Sequence, residues 1–110
     1  MRTGRDIQQL EELRDSAVAM LEARDLLFEL VDGPVRTRAS SDEEVHWWLD
    51  RTKHADDSAA YLGAVLASGE LLDKPASVQL LMDQANRITD LFLLIFQELR
   101  QRLLELAQTN

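Results

Sequence analysis

The chain has 110 residues, with 12 Lys and Arg against 20 Asp and Glu, which gives a formal net charge of −8 at pH 7. This length predicts a single domain over residues 1–110, and the negative charge opposes direct binding to nucleic acid or to an anionic membrane surface. Cysteine is absent, which excludes a disulfide framework or a thiolate site. No apolar run has the length of a signal-peptide core or a membrane span, so we predict a cytoplasmic protein.

The fold class follows from composition and periodicity. Only 4 Gly and 2 Pro interrupt the chain, and the apolar residues recur at three-four spacing in three segments. We therefore predict an all-α protein of three long helices, at about residues 5–32, 42–68 and 75–108, forming a helical bundle.

Helix 1 presents an apolar seam in which Met20 or Leu21, and Leu27 or Phe28, take the inward positions. Arg24 falls in the same seam and is expected to need a carboxylate partner. Gly33 followed by Pro34 predicts the end of this helix, because glycine suits a left-handed C-terminal position and proline cannot continue the helix. Residues 33–40 are then predicted to form a linker.

The opposite face of helix 1 is acidic. It is open to three interpretations, namely a solvated face, a docking strip for a basic partner, or a set of magnesium ligands. Helical nucleotide pyrophosphohydrolases hold magnesium with Glu-x-x-Glu and Glu-x-x-Asp pairs, and helix 1 carries three Glu-x-x-Asp pairs, but the chain has no Glu-x-x-Glu. The docking strip would use Glu22, Asp25 and Glu29, and the metal site would add Asp32. The whole stripe comprises Glu11, Asp15, Glu22, Asp25, Glu29 and Asp32.

Helix 2 has the best-defined start in the chain, because Ser41 and Glu44 have the spacing of a capping box. Its inward seam is predicted to have small residues, Ala55 and Ala59, at the centre, facing the bulky residues of helix 3. The full seam is Val45, Trp48, Thr52, Ala55, Ala59, Leu62 and Leu66.

One flank of helix 2 carries the residue types that are enriched in binding hot spots. Trp47 adjoins the inward Trp48, and one core can hardly bury both, so one of them is expected to face an interface. We therefore predict a partner-binding surface formed by Trp47, Arg51, His54 and Tyr61. Two alternatives are that Trp47 lies under the loop at residues 36–41 of the same chain, or that it is simply exposed or contacts a small ligand.

Neither a metal nor a cofactor is predicted for helix 2. Glu43-x-x-His46 has the spacing found in di-iron bundles, but the chain lacks a second such motif, and both side chains project outward. His46 and His54 are eight residues apart, whereas a helical zinc site prefers four. No nucleophile or phosphate-loop motif occurs, so no catalytic residue is predicted.

Helix 3 contains six consecutive apolar residues, Leu91–Phe96, which cover its whole circumference and are expected to be buried on all sides. Two neighbouring helices leave a third flank open, which predicts a bundle completed by a second copy or by a partner protein. Helix 3 is also the longest, so its end at Leu103–Leu106 is expected to project. The predicted core and dimer residues are Phe92, Ile95, Phe96, Leu99 and Leu103.

These features favour a non-enzymatic protein-interaction function. We expect a small acidic bacterial regulator or adaptor, acting as a homodimer that sequesters or blocks another protein, for example a transcription regulator. Two alternatives stay open. One is a metal-dependent enzyme resembling the all-α nucleotide pyrophosphohydrolases, and the other is an acidic mimic of nucleic acid.

Overall fold

The computed structural model describes residues 4–109 and contains three long helices in that range. We label them α1 (Gly4–Leu30), α2 (Asp42–Ser68) and α3 (Pro75–Thr109). No strand occurs within the described residues, which confirms the all-α fold. Residues 1–3 and 110 of the predicted domain lie outside the described residues.

The helices form an elongated up-down-up bundle with extents of 61 × 20 × 17 Å. Asp6 and Leu10 of α1 lie beside Pro75 and Val78 of α3, so these two helices start at the same end and run parallel. Ion pairs from Glu44 to Arg102 and from Arg51 to Glu98 show that α2 runs antiparallel to α3, and therefore also to α1. Helix α3 packs more extensively against α1 than against α2.

Both ends of α2 lie where the sequence places them. The Ser41 hydroxyl accepts the backbone N–H of Glu44 at 3.2 Å, which caps the first turn. Gly69 adopts φ 71° at the C-terminus, a left-handed conformation that glycine takes without steric cost. The tight turn that follows lets α3 begin at Pro75, whose missing N–H is not needed in a first helical turn.

The predicted end of helix 1 at Gly33 and Pro34 is wrong. The chain continues through a π-helical turn, Val31–Val35, and a further helical turn, Arg36–Arg38. A π turn widens the helix locally, which accommodates a proline whose ring would clash with the preceding turn of an α-helix. Gly33 does not take a positive φ, since Gly69 is the one residue of the described chain that does. The predicted linker at residues 33–40 therefore shrinks to the segment around Ala39–Ser41.

The extension of helix 1 and the far end of α3 both differ from the prediction. Val31 and Val35 are buried at 0% and 2% exposure, so the extension of α1 adds a further layer to the core. Leu106 is 8% exposed, although Leu104 is 50% exposed. The prediction that the end of helix 3 projects is therefore wrong for Leu106, whereas Leu104 is exposed as expected.

The predicted seams meet in one core. On α1, Met20 and Leu27 take the inward positions in preference to Leu21 and Phe28. Thr52, a buried polar residue of the α2 seam, donates its hydroxyl to the Leu49 carbonyl at 2.9 Å, so it carries no unpaired group into the core. The buried apolar residues of α2 and α3 are Val45, Trp48, Ala55, Ala59, Leu62, Val78, Leu81, Ala85, Phe92, Ile95, Leu99 and Leu106.

The apolar run Leu91–Phe96 is only partly covered by the chain itself. Phe92 and Ile95 are buried, at 0% and 1% exposure, whereas Leu93 and Leu94 are 40% and 49% exposed. Leu91 and Phe96 are half-buried. The expectation of burial on all sides is therefore not met within one chain. The two exposed leucines lie about 100° apart around α3, one on each side of its most outward line.

Candidate protein-interaction surface

The predicted flank of α2 lies beside α3, and together they form an open groove. We call it the α2–α3 groove and define it by side chains that recur at three-four spacing along each helix. Its residues are Trp47, Arg51, His54, Ser58 and Tyr61 on α2, with Gln84, Arg87, Leu91, Leu94 and Glu98 on α3.

Arg51 crosses this groove near one end. Its Nη2 donates to both carboxylate oxygens of Glu98, at 2.7 and 2.9 Å. The same guanidinium lies 5.9 Å from the centre of the Trp47 ring, within the range of a cation–π contact. The pair is more than one-third exposed, so it adds little to the free energy of folding. Its main effect is to hold the side chains of Arg51 and Trp47 in one arrangement.

Trp47 and Trp48 separate as the sequence predicts, one inward and one outward. Trp48 is 5% exposed and Trp47 is 54% exposed, with their rings edge to face at a centroid distance of 4.7 Å. The alternative that Trp47 is covered by the loop at residues 36–41 is wrong. Trp47 is an exposed aromatic supported by Trp48 and Arg51, so little conformational freedom remains to be lost on binding.

The other end of the groove is a shallow cleft of about 470 Å³. Tyr61 is 72% exposed and forms one wall with His54, while Gln84 and Arg87 of α3 form the opposite wall. Ser58 donates its hydroxyl to the His54 carbonyl at 3.0 Å, so it acts within the helix. The cleft offers an aromatic face and hydrogen-bonding groups but no enclosed chamber for a small substrate.

The contribution of α3 to this surface is not in the sequence prediction. Leu91, Leu94 and Leu80 are half-buried or exposed, the last at 57%. They lie on the flank of α3 that carries Arg87 and Glu98. The sequence contains a signal for this flank, namely a second three-four spaced series beside the core seam of helix 3. The sequence prediction misses it because it expects all six residues of the run Leu91–Phe96 to be buried.

The structure does not bring the acidic stripe of α1 to this groove. Arg24 forms an ion pair with Asp56, as predicted for a seam arginine, and this pair raises the pKa of Arg24. Through it α1 contacts the flank of α2 opposite Trp47. The predicted partner-binding residues therefore lie on two separate surfaces.

The acidic stripe itself faces outward. Its carboxylates are exposed, and Asp25 and Asp32 contact Arg24 and Arg36, at 3.4 and 3.3 Å. Within residues 4–109, no three His, Cys, Asp or Glu side chains are grouped so that they could hold a metal ion.

A third surface is formed by the flanks of α1 and α3 that face away from α2. We call it the α1–α3 face. Its exposed leucines are Leu26, Leu93 and Leu104, at 44%, 40% and 50% exposure. Of the predicted dimer residues, Phe96 and Leu103 are half-buried, whereas Phe92, Ile95 and Leu99 are enclosed in the core of the single chain.

Glu44 fixes the end of the bundle next to Trp47. Its carboxylate accepts the backbone N–H of Ser40 at 3.0 Å and the Ser40 hydroxyl at 2.9 Å, and it pairs with Arg102 of α3. The Arg102 hydrogen bonds, followed by those from Ser40, lower the pKa of Glu44 to about 2 against the opposing effect of burial. The predicted capping box is therefore modified, because Glu44 receives Ser40 and Arg102 as partners.

Comparisons with protein-family models, curated proteins and solved structures find no match to this chain. Among residues 4–109, no helix combines the length and apolarity required to cross a bilayer.

Proposed function

We propose that this protein is a non-enzymatic binding protein, a small acidic regulator or adaptor that sequesters or blocks another protein. The observation that carries the proposal is the α2–α3 groove, where two aromatic side chains, Trp47 and Tyr61, are 54% and 72% exposed on a helical scaffold. Tyrosine and tryptophan supply large contact areas with few rotatable bonds, which suits them to interfaces. The example of a partner that we propose is a transcription regulator.

The test is affinity capture from lysate of the source organism with a tagged full-length chain. Trp47→Ala with Tyr61→Ala is compared with Val18→Ala with Leu21→Ala, a control that shortens two exposed side chains of α1 outside the α1–α3 face. We expect the first variant to lose a captured protein that wild type and the control retain, with all three showing the same helical circular dichroism. Equal capture by both variants would refute a role for the groove.

We also propose that the chain forms a homodimer through the α1–α3 face, a proposal supported by the exposure of Leu26, Leu93 and Leu104. The double variant Leu26→Glu with Leu93→Glu introduces two charges there and is expected to sediment as a monomer. The matched control, Leu21→Glu with Leu80→Glu, changes two leucines of similar exposure elsewhere and is expected to remain dimeric. A wild-type chain that sediments as a monomer at every concentration would contradict this proposal.

The two alternatives make different predictions. A metal-dependent nucleotide enzyme using Glu22, Asp25, Glu29 and Asp32 requires that Mg²⁺ or Mn²⁺ raise the melting temperature, because a ligand of the native state stabilises it by mass action. The binding proposal predicts no change at millimolar metal. If the protein is an acidic mimic of nucleic acid, DNA should compete with it for the captured protein. If the binding energy is centred on Trp47, the Trp47→Ala variant should lose the captured protein and DNA should compete little.

A further inference from the structure

The α2–α3 groove has the length and shape of a helix-binding site. Trp47 and Tyr61 are 14 residues apart on one helix, which corresponds to about 21 Å, or four turns of a bound helix. Between them, Leu91 and Leu94 provide the apolar strip on α3. An amphipathic helix buries a stripe of this kind with residues spaced three and four apart.

The outer rim of the groove on α2 is acidic in a regular pattern. Glu43, Asp50 and Asp57 are exposed and seven residues apart, so they form a row along the helix at intervals of about 10 Å. Each lies one helical turn before Trp47, His54 or Tyr61. None of the three has an ion-pair partner among residues 4–109, whereas Glu98 on the opposite side of the groove is paired with Arg51. The rim thus presents a row of unneutralised carboxylates beside an apolar strip.

From this arrangement we propose that the groove binds an amphipathic α-helix of another protein, with an apolar stripe and with Lys or Arg along the flank that faces α2. The inference rests on the proposed function and specifies the partner. The apolar stripe covers Trp47, Leu91, Leu94 and Tyr61, and the basic flank lies over Glu43, Asp50 and Asp57. A second copy of this chain fits this groove poorly, because its outward surfaces carry the acidic stripe of α1 and the same acidic rim.

The test uses two synthetic amphipathic peptides of about five turns, free of tryptophan, with identical leucine stripes and with either Lys or Glu on the flanks. Binding to the full chain is followed by the fluorescence of Trp47, which shifts to shorter wavelength when the exposed ring is buried. We expect the lysine peptide to bind with this shift. The glutamate peptide is expected to bind at least about tenfold more weakly, the difference shrinking in high salt.

A pair of triple variants separates the rim from general attraction to an acidic protein. Glu43→Gln, Asp50→Asn and Asp57→Asn remove three charges from the rim. The control, Glu11→Gln, Asp15→Asn and Glu22→Gln, removes three from the α1 stripe. We expect the rim variant to bind the lysine peptide about tenfold more weakly than wild type does. The control variant should bind it less than about threefold more weakly. All six positions are exposed, and circular dichroism melts check that both variants fold.

Equal weakening by the two triple variants would overturn the inference, because the peptide would then respond only to net charge. Failure of the lysine peptide to bind, or equal binding of the two peptides, would overturn it as well. The proposed function is tested separately, by the capture experiment. If Trp47→Ala with Tyr61→Ala still loses a captured protein while the lysine peptide does not bind, the groove is a binding surface whose occupant is not a basic helix.

Discussion

Replacing Glu44 by Gln removes the charge that joins the start of α2 to the end of α3. The Glu44 side chain is 15% exposed and its pKa is lowered from 4.5 to about 2, chiefly by the Arg102 hydrogen bonds. A shift of this size corresponds to at most about 3–4 kcal/mol of stability. Because the Arg102 side chain is 34% exposed, solvent screening reduces the expected contribution to about 1–2 kcal/mol.

The direction of the pH dependence follows from the lowered pKa. A carboxyl group whose pKa is lower in the folded chain stabilises the fold fully above its unfolded value of 4.5, and this contribution is lost as the pH falls towards about 2. We therefore expect Glu44→Gln to cost about 1–2 kcal/mol at pH 7. The variant should then lose correspondingly less stability than wild type between pH 6 and pH 2.5.

The assay is urea unfolding followed by circular dichroism at several pH values, at one fixed protein concentration so that any self-association contributes equally. Urea is chosen because guanidinium chloride would screen the ion pair. Glu43→Gln is the matched control, since Glu43 lies in the same first turn with its side chain exposed. If Glu44→Gln and Glu43→Gln showed the same stability and the same pH dependence, the Arg102 and Ser40 contacts would not stabilise the fold as argued here.

Three further predictions concern substitutions whose effect is measured by thermal or urea unfolding. Phe92→Ala removes a fully buried ring from the core and should lower the free energy of unfolding by about 3–5 kcal/mol. Leu94→Ala, at 49% exposure, should lower it by less than about 1 kcal/mol. Similar losses in the two variants would contradict the assignment of Phe92 to the core of the single chain. Gly69→Ala should destabilise by about 1 kcal/mol, because φ at Gly69 is 71°. Gly63→Ala should stabilise by about 0.5–1 kcal/mol, since an added Cβ meets nothing within 4 Å in mid-helix. Gly33→Ala should not destabilise, because Gly33 lies in helical backbone; a clear loss would favour the left-handed helix end that its sequence position suggested.

Much of the fold is determined by local sequence chemistry. Ser41 and Glu44 mark the start of α2, and Gly69 marks its end, because capping and left-handed conformations depend on a few adjacent residues. The three-four spacing of apolar residues identified the α2 seam from Val45 to Leu62, since inward positions follow from helical periodicity. The outward position of Trp47 beside buried Trp48 follows from the same periodicity.

Other features were decided only by tertiary structure. Gly33 and Pro34 are strong local stop signals, yet the helix continues because Val31 and Val35 gain burial against the rest of the core. Periodicity did not select Met20 over Leu21 or Leu27 over Phe28, because that choice depends on the direction from which the other helices approach.

For the candidate site too, some residues could be identified from the sequence and others only from the packing of the helices. The sequence identified the α2 side of the groove, because Trp47, Arg51, His54 and Tyr61 share one flank of a single helix. It did not place Leu91, Leu94 and Glu98 opposite them, and it joined the groove and the acidic stripe of α1 into one set of partner-binding residues. Which flanks of different helices share a surface depends on how the helices pack, and helical spacing along one segment carries no information about its neighbours.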